Sequence, residues 1–428
     1  MSKIKPAKRF IRERNVAASA FQKEVEQIEY QFEKANQKWY RVTGADVVLT
    51  GNKNRSMSNY LVDAVRQGWD CYPTETNWEN EYLDSVCYYE NKFYHSGYTT
   101  QDIIAIPGAA SAWHLLNNAI LNPGDELVAI EPAHFMTGPS SYLWYLGAKV
   151  IPTPCLEDRG WEPDLDKLRD AITPNSRAIS MVYPNNPTGA IYSNKARKAI
   201  IDIAGENELP IISDELYRQI VFDGNDAPPM AVEARDVPVI TIMSFSKFFM
   251  KPGWRIGYVG FHDPTGQMED LKKCTRSVAK MYGHQTSTIP LPVLVAATRA
   301  LKDYVDVHQS IADSLDVKGP MDESRAMVRN LQKRRDYSIK RIREIEGFNV
   351  VNSKATLYLL PHILNVDRWG DTEHFVLDLF KSTGVLFNVG DKFGPSAEGH
   401  FRTLVLSEMD ELEDIYNRVG DFMRTHSN

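Results

Sequence analysis

Ser244-Phe245-Ser246-Lys247, followed by Pro252-Gly253-Trp254-Arg255-Ile256-Gly257, is the stretch on which the reading of this chain turns. The run ahead of it, Val239-Ile240-Thr241-Ile242-Met243, reads as a buried strand. A lysine at the end of such a strand is costly unless it is paired or chemically used. Covalent capture of an aldehyde as a Schiff base is one such use, and nearby serines and an arginine suit a phosphate. Lys247, Ser244, Ser246 and Arg255 thus suggest a lysine-bound pyridoxal phosphate. Taken alone, SxSK also fits a surface lysine in an ordinary loop, so the rest of the chain decides.

At 428 residues the chain exceeds one typical domain, and two domains are expected. Its 43% hydrophobic and 25% charged residues are those of a globular protein. The net charge of −7 argues against a general nucleic-acid binder, which carries a basic footprint. Cys71, Cys87, Cys155 and Cys274 lie far apart with no CxxC pair, as expected of reduced thiols in a cytoplasmic protein. No apolar stretch approaches the roughly 20 residues that span a bilayer. The N-terminus has no signal-peptide core, and its Lys3, Lys5, Lys8, Arg9, Arg12 and Arg14 read as a solvated arm.

Phe21, Val25, Ile28 and Phe32 recur at helical spacing and predict a helix over 17–37. Asp46–Gly51 reads as a short strand. From residue 100 short β-rich runs alternate with helical stretches: 103–106, 126–130, 149–151, 178–182, 211–213 and 239–243 as strands, 163–172 and 194–208 as helices. That alternation is the mark of a mostly parallel sheet with helices on both faces. A largely helical section, 290–346, leads to a smaller α+β unit with strands at 356–360, 385–387 and 402–406 and a helix at 372–383.

Ligands of a parallel sheet sit at its strand ends. Gly108-Ala109-Ala110 opens a helix, where backbone N–H groups can hold an anion. Tyr183-Pro-Asn-Asn-Pro-Thr-Gly189 is a rigid turn presenting Asn186, which in isolation could simply cap its own backbone. Asp214 stands at the tip of a strand with Tyr217 three residues on, and by itself could be a helix N-cap. Lys247 and Arg255 complete the set.

All four in this order resemble the class I/II aminotransferases, aspartate aminotransferase-like enzymes of pyridoxal-phosphate fold-type I, over roughly residues 40–425. Asn122-Pro-Gly-Asp-Glu126 and Gly390-Asp-Lys-Phe-Gly394 also look like landmarks of that family. The resemblance implies an α/β fold: a large domain with a mostly parallel seven-stranded sheet between helices, and a smaller α+β domain. Residues 1–50 would form an N-terminal arm and part of the small domain, 51–305 the large cofactor-binding domain, and 306–428 a linking helix and the small C-terminal domain. Lys247 would carry the cofactor and shuttle the proton, Asp214 would pair with the pyridinium nitrogen, and Asn186 and Tyr217 would bond its phenolic oxygen. Ser244, Ser246 and Arg255, with the Gly108-Ala109-Ala110 backbone, would hold the phosphate. Tyr72 would reach the phosphate from the neighbouring subunit of a homodimer with shared active sites. Arg402 would clamp the substrate α-carboxylate, with Gly51 and Asn186 beside the substrate.

Two stretches depart from the family pattern. Where an aromatic ring is expected over the cofactor stands Pro132-Ala133-His134-Phe135, so His134 or Phe135 takes that place. Gly51-Asn52-Lys53-Asn54-Arg55 replaces the usual G-x-P. Lys53 and Arg55 are candidate readers of a side-chain carboxylate; Tyr72, Trp78, Tyr282 and Tyr358 could instead line a neutral pocket. The expected reaction moves an amino group from an L-amino acid to a 2-oxo acid, 2-oxoglutarate by resemblance, by a ping-pong mechanism. A pyridoxal-phosphate lyase acting at Cβ or Cγ shares the same site residues. A regulator with an aminotransferase-like domain is disfavoured, because about 45 residues ahead of the resemblance are short for a winged helix and linker.

Overall fold

The structure is a computed structural model and describes residues 20–44, 53–72, 76–134, 142–282, 289–310 and 319–426. The predicted strand at 46–51 lies outside the described residues. A large sheet is built from β1 (Ile103–Ile106), β2 (Glu126–Glu131), β3 (Lys149–Leu156), β4 (Glu162–Pro163), β5 (Ser176–Val182), β6 (Ile211–Asp214), β7 (Val239–Ser244) and β8 (Gly257–His262). Its spatial order is β1-β8-β7-β6-β5-β2-β3-β4. Strands β3, β2, β5, β6 and β7 run parallel. β8 is antiparallel to both β7 and β1. Beyond the seven strands expected, the two-residue β4 folds back antiparallel on the edge strand β3.

Alternation along the central strands explains why these apolar runs are strands. Val239 and Met243 of β7 feed one core, and Ile240 and Ile242 feed the core on the opposite face. Ile211 and Ile212 of β6 divide in the same way. Both faces are therefore covered, which is why the strands read as continuous apolar runs rather than alternating ones.

The longer helices are α1 (Ala20–Lys34), α2 (Arg55–Arg66), α3 (Trp78–Tyr94), α4 (Ala109–Ile120), α5 (Asn194–Glu206), α6 (Glu269–Tyr282), α7 (Leu291–Ser310), α8 (Pro320–Glu344), α9 (Thr372–Thr383) and α10 (Met409–Thr425). The 25-residue α8 leads into the C-terminal unit, where β9 (Tyr358–Leu359), β10 (Asn388–Val389) and β11 (Phe401–Leu404) form a three-stranded antiparallel sheet. The N-terminal segment joins this unit. Phe32 of α1 stacks on Phe380 of α9 at 5.7 Å, and Tyr40–Arg41 pairs in parallel with Val385–Leu386.

Candidate active site

Three neighbouring parallel strands, β5, β6 and β7, send their C-terminal ends to one edge of the sheet. β6 ends on Asp214 and β7 on Ser244, while the turn after β5 carries Asn186. β8 runs the other way, so its start lies at that edge too: Gly257 pairs with both Ser244 and Ile106. The antiparallel strand that went unread in the sequence thus brings Arg255 and the start of α4 together. At this edge lies a cavity of about 300 Å³. Ala109, Ala110, His134, Asn186, Asp214, Tyr217, Ser244, Ser246, Lys247, Arg255 and Arg402 all line it.

Asp214 is buried, and its Oδ2 accepts from Trp113 Nε1 at 2.8 Å. Its Oδ1 is buried without a hydrogen-bond partner. Burial pushes the carboxyl up to about 7, held back by the Trp113 indole and the Leu216 backbone N–H. A carboxylate so placed calls for a cationic N–H donor, which a protonated pyridine nitrogen provides.

The phosphate end of the cavity is built from small groups. Gly108 opens α4 at φ +88° with no side-chain cap, and a Cβ there would lie 2.5 Å from Arg255 Nη2. Only glycine lets the guanidinium pack against the helix start, where backbone N–H groups and the helix dipole favour an anion. Arg255 Nη1 donates to Pro252 O at 2.8 Å. The Ser244 and Ser246 hydroxyls lie 2.8 Å apart, and the Ser246 backbone N–H donates to Ser244 Oγ at 3.2 Å. This donor set fits a phosphate, and with Asp214 it fits pyridoxal phosphate.

At the other end Arg402, delivered by β11, is buried between the rings of Tyr358 and Phe393, 4.5 and 4.7 Å away. It donates to Asn186 Oδ1 at 3.1 Å and to Thr43 O at 3.2 Å, and its Nε is buried without a partner. Burial lowers its pKa from the usual arginine value. Asn186 Nδ2 donates to Tyr217 Oη at 3.3 Å, and Tyr217 and Tyr358 share a hydroxyl contact of 2.8 Å. The Tyr217 phenol is pushed up by burial first and by Tyr358 second. His134 is held down to about 3, by burial first and then by the positive charges of Arg402 and Lys247. At neutral pH its ring is uncharged.

Other predicted residues are placed elsewhere. Tyr72 is 70% exposed and does not line the cavity of this single chain. Lys53 and Arg55 are exposed and do not line it either. Trp78 packs edge-on against Trp69 instead. Gly51, Phe135 and the Tyr282 side chain lie outside the described residues. Tyr358, singled out only as one aromatic among several, is a wall of the site. Trp113 was missed. It sits mid-helix among apolar residues, and nothing in the local sequence marks its indole N–H for Asp214.

The model of the family described as aminotransferase class I and II matches residues 81–418. An aspartate aminotransferase of Pyrococcus horikoshii is 27% identical over 356 residues, covering 83% of this chain and 84% of the relative. A glutamate–pyruvate aminotransferase of Escherichia coli is 28% identical over 327 residues, 76% of each chain. The structure of an alanine aminotransferase from Pyrococcus furiosus superimposes with a TM-score of 0.86 at 28% identity, covering 98% of this chain and all of that one. A family whose members work on pyridoxal phosphate, in fold-type I, is what the sheet edge and its lysine define. The chain belongs to the class I/II aminotransferases, and it is a pyridoxal-phosphate-dependent enzyme of amino-group transfer.

Proposed function

We propose that the chain transfers the amino group of an L-amino acid to 2-oxoglutarate by a ping-pong mechanism, through Lys247. The observation that carries the assignment of roles is Asp214 Oδ1, buried and unpartnered in the cavity that Lys247 and Arg402 also line. When bound, pyridoxal phosphate supplies an aldehyde that takes up the amino group and a ring that draws electrons from the substrate Cα.

Asp214 holds the ring nitrogen protonated, and Asn186 and Tyr217 orient the phenolic side. Arg255, Ser244, Ser246 and the N-terminus of α4 hold the phosphate. Arg402 takes the α-carboxylate, its planar fork matching two oxygens at once. That contact fixes the Cα–H within reach of Lys247, which carries the proton away from Cα in the first half-reaction and returns one to Cα in the second. Uncharged His134 covers the site without competing for the carboxylate. Among the described residues lining the cavity, the cations are Lys247, Arg255 and Arg402. Alanine, named on relatives, is the donor to try first, and the distal carboxylate of 2-oxoglutarate has to be met by a group other than these three.

The working form is a homodimer in which Tyr72 enters the partner's site; its exposure in one chain supports this. The division at residues 50 and 305 is part of this proposal, its second boundary falling within α7 (Leu291–Ser310), and the docking of α1 on α9 supports assigning the N-terminal arm to the small domain. Among the described residues no helix is long and apolar enough to cross a membrane. All four cysteines are free, which supports a reducing, cytoplasmic setting.

Borohydride reduction of the holoenzyme followed by peptide mapping is expected to place the label on Lys247; a label on another lysine overturns the assignment. Single amino acids are then tested for conversion of the cofactor spectrum to the amine form, and 2-oxoglutarate is expected to reverse it. Pyruvate and ammonia released without an acceptor would show a lyase instead.

A further inference from the structure

Where the C-terminal unit meets the end of β3, Glu157, His362 and His400 bring their ligand atoms within 4.8 Å of one another. Glu157 follows β3 of the large sheet, His362 lies in the short strand His362–Ile363, and His400 immediately precedes β11. Glu157 Oε2 is 3.0 Å from His362 Nδ1 and 3.3 Å from His400 Nε2. The two imidazoles stack at 4.3 Å, 23° from parallel. Trp161 sets its edge against His400 at 5.4 Å.

The tautomer of His400 is the informative detail. Its Nδ1 lies 2.9 Å from the Glu398 carbonyl oxygen, which can only accept, so Nδ1 carries the hydrogen. In the neutral ring Nε2 is then a bare lone pair. That nitrogen faces a carboxylate oxygen, makes no hydrogen bond, and belongs to a side chain only 4% exposed. Glu157 Oε1 is also buried without a partner. Glu157 Oε2 has one hydrogen-bond partner, His362 Nδ1; His400 Nε2 and Glu157 Oε1 have none, and a cation held among the three side chains would satisfy them. A backbone carbonyl fixing the remote nitrogen is also how metal-binding histidines are usually oriented.

We propose that Glu157, His362 and His400 form a binding site for a divalent transition metal of the zinc class. Two imidazoles and a carboxylate suit zinc rather than magnesium or calcium. Tetrahedral zinc bonds of about 2.0–2.1 Å place ligand atoms about 3.3–3.4 Å apart, near the 3.0 and 3.3 Å that separate Glu157 Oε2 from the two imidazoles. His362 and Glu157 keep 35% and 24% of their side chains exposed, which leaves an entry path and a fourth position for water. The metal would tie the loop after β3 to the segment that carries Arg402.

The test uses the holoenzyme, stripped of metal by chelator and free of amino acids, with zinc or cobalt(II) alone as probe. Cobalt is expected to develop visible d–d absorption that saturates at one metal per chain, and zinc to abolish it and to raise Tm. His362→Gln and Glu157→Gln are expected to bind at least about tenfold more weakly, since even losing an outer partner of a ligand costs about that much. His374→Ala, at an exposed histidine paired with Asp371, is expected to behave as the parent. No d–d absorption in the parent, or an equal response from His362→Gln, overturns the site; the cluster is then bridged by a proton alone.

Discussion

Strand β6 runs into two consecutive buried carboxylates, Asp214 and Glu215, and they have opposite fates. Glu215 Oε1 accepts from the Met230 backbone N–H at 2.9 Å and Oε2 from Arg218 Nη1 at 3.1 Å. Arg218 also pairs with Glu90, contacts Tyr258 and lies over the Tyr94 ring at 4.0 Å. Asp214 has an indole on one oxygen, no hydrogen-bond partner on the other, and beyond these only the nearby Leu216 backbone N–H to favour its charge. Burial raises the pKa of both, but only Glu215 has an arginine of this chain pulling it back. A buried charge matched from within the chain holds the fold; one left half-matched beside a cavity is set up for a cation the ligand brings.

The contrast predicts that the two regions fail differently. Lys247→Ala, on the cavity side, is expected to lower transamination more than about 10⁴-fold. Proton transfer alone is worth about 10²–10⁴, and covalent attachment is lost with it. Its stability is expected to stay within about 1 kcal/mol of the parent, as the side chain is only half-buried. Residual turnover above one per cent would move the chemistry to another residue. Arg218→Met is the mirror case. It strands Glu90 and Glu215 in the interior and is expected to cost about 3–5 kcal/mol in chemical denaturation, with kcat per folded molecule nearly unchanged. A stable but inactive variant would break the division between the two carboxylates.

Asp214→Asn tests both halves of the contrast in one residue. Activity is expected to fall about 10²–10³-fold with cofactor still bound, because the neutral amide no longer holds the ring nitrogen protonated. In the cofactor-free chain the effect on stability has the opposite sign. The folded carboxyl, raised to about 7, holds its proton where the unfolded one has lost it. Its contribution is present in full below about pH 4 and is lost as pH climbs through about 7, since the unfolded state then binds fewer protons than the folded one. Parent Tm is therefore expected to drop more than that of Asp214→Asn between pH 5 and pH 8. Parallel Tm profiles would mean that Asp214 already has a cationic partner within the chain.

What could be read in the sequence was whatever sits at a strand end. Lys247, Asp214, Asn186 and Arg255 each follow an apolar run or a rigid turn, so local pattern and site position coincide. The strand 257–262 escaped because Gly257 and Gly260 dilute its β character, although glycine is what the packing requires: a Cβ on Gly260 would lie 2.9 Å from the Tyr98 ring. Trp113 escaped because its apolar neighbours make it read as core. Glu157, His362 and His400 are more than 200 residues apart at the extremes, and only the closure of the C-terminal unit onto β3 brings them together.

The smallest effect is expected where charge lies outside the cavity altogether. Asn54, between Lys53 and Arg55, is wholly buried: it caps α2 by accepting from the Met57 N–H at 3.1 Å and donates to Pro320 O at 2.9 Å. Its carbonyl also accepts from Lys251 Nζ at 2.7 Å. So anchored, it leaves both flanking charges exposed. If neither reads a substrate carboxylate, Lys53→Ala and Arg55→Ala should change the ratio of kcat/KM for aspartate over alanine by less than about twofold. A charge-assisted hydrogen bond to the substrate would be worth about 1.5–3 kcal/mol, roughly ten- to a hundredfold on aspartate alone. A selective loss of that size would show that closure over substrate draws this segment inward, and would add a second ligand-matched charge to the one that Asp214 represents.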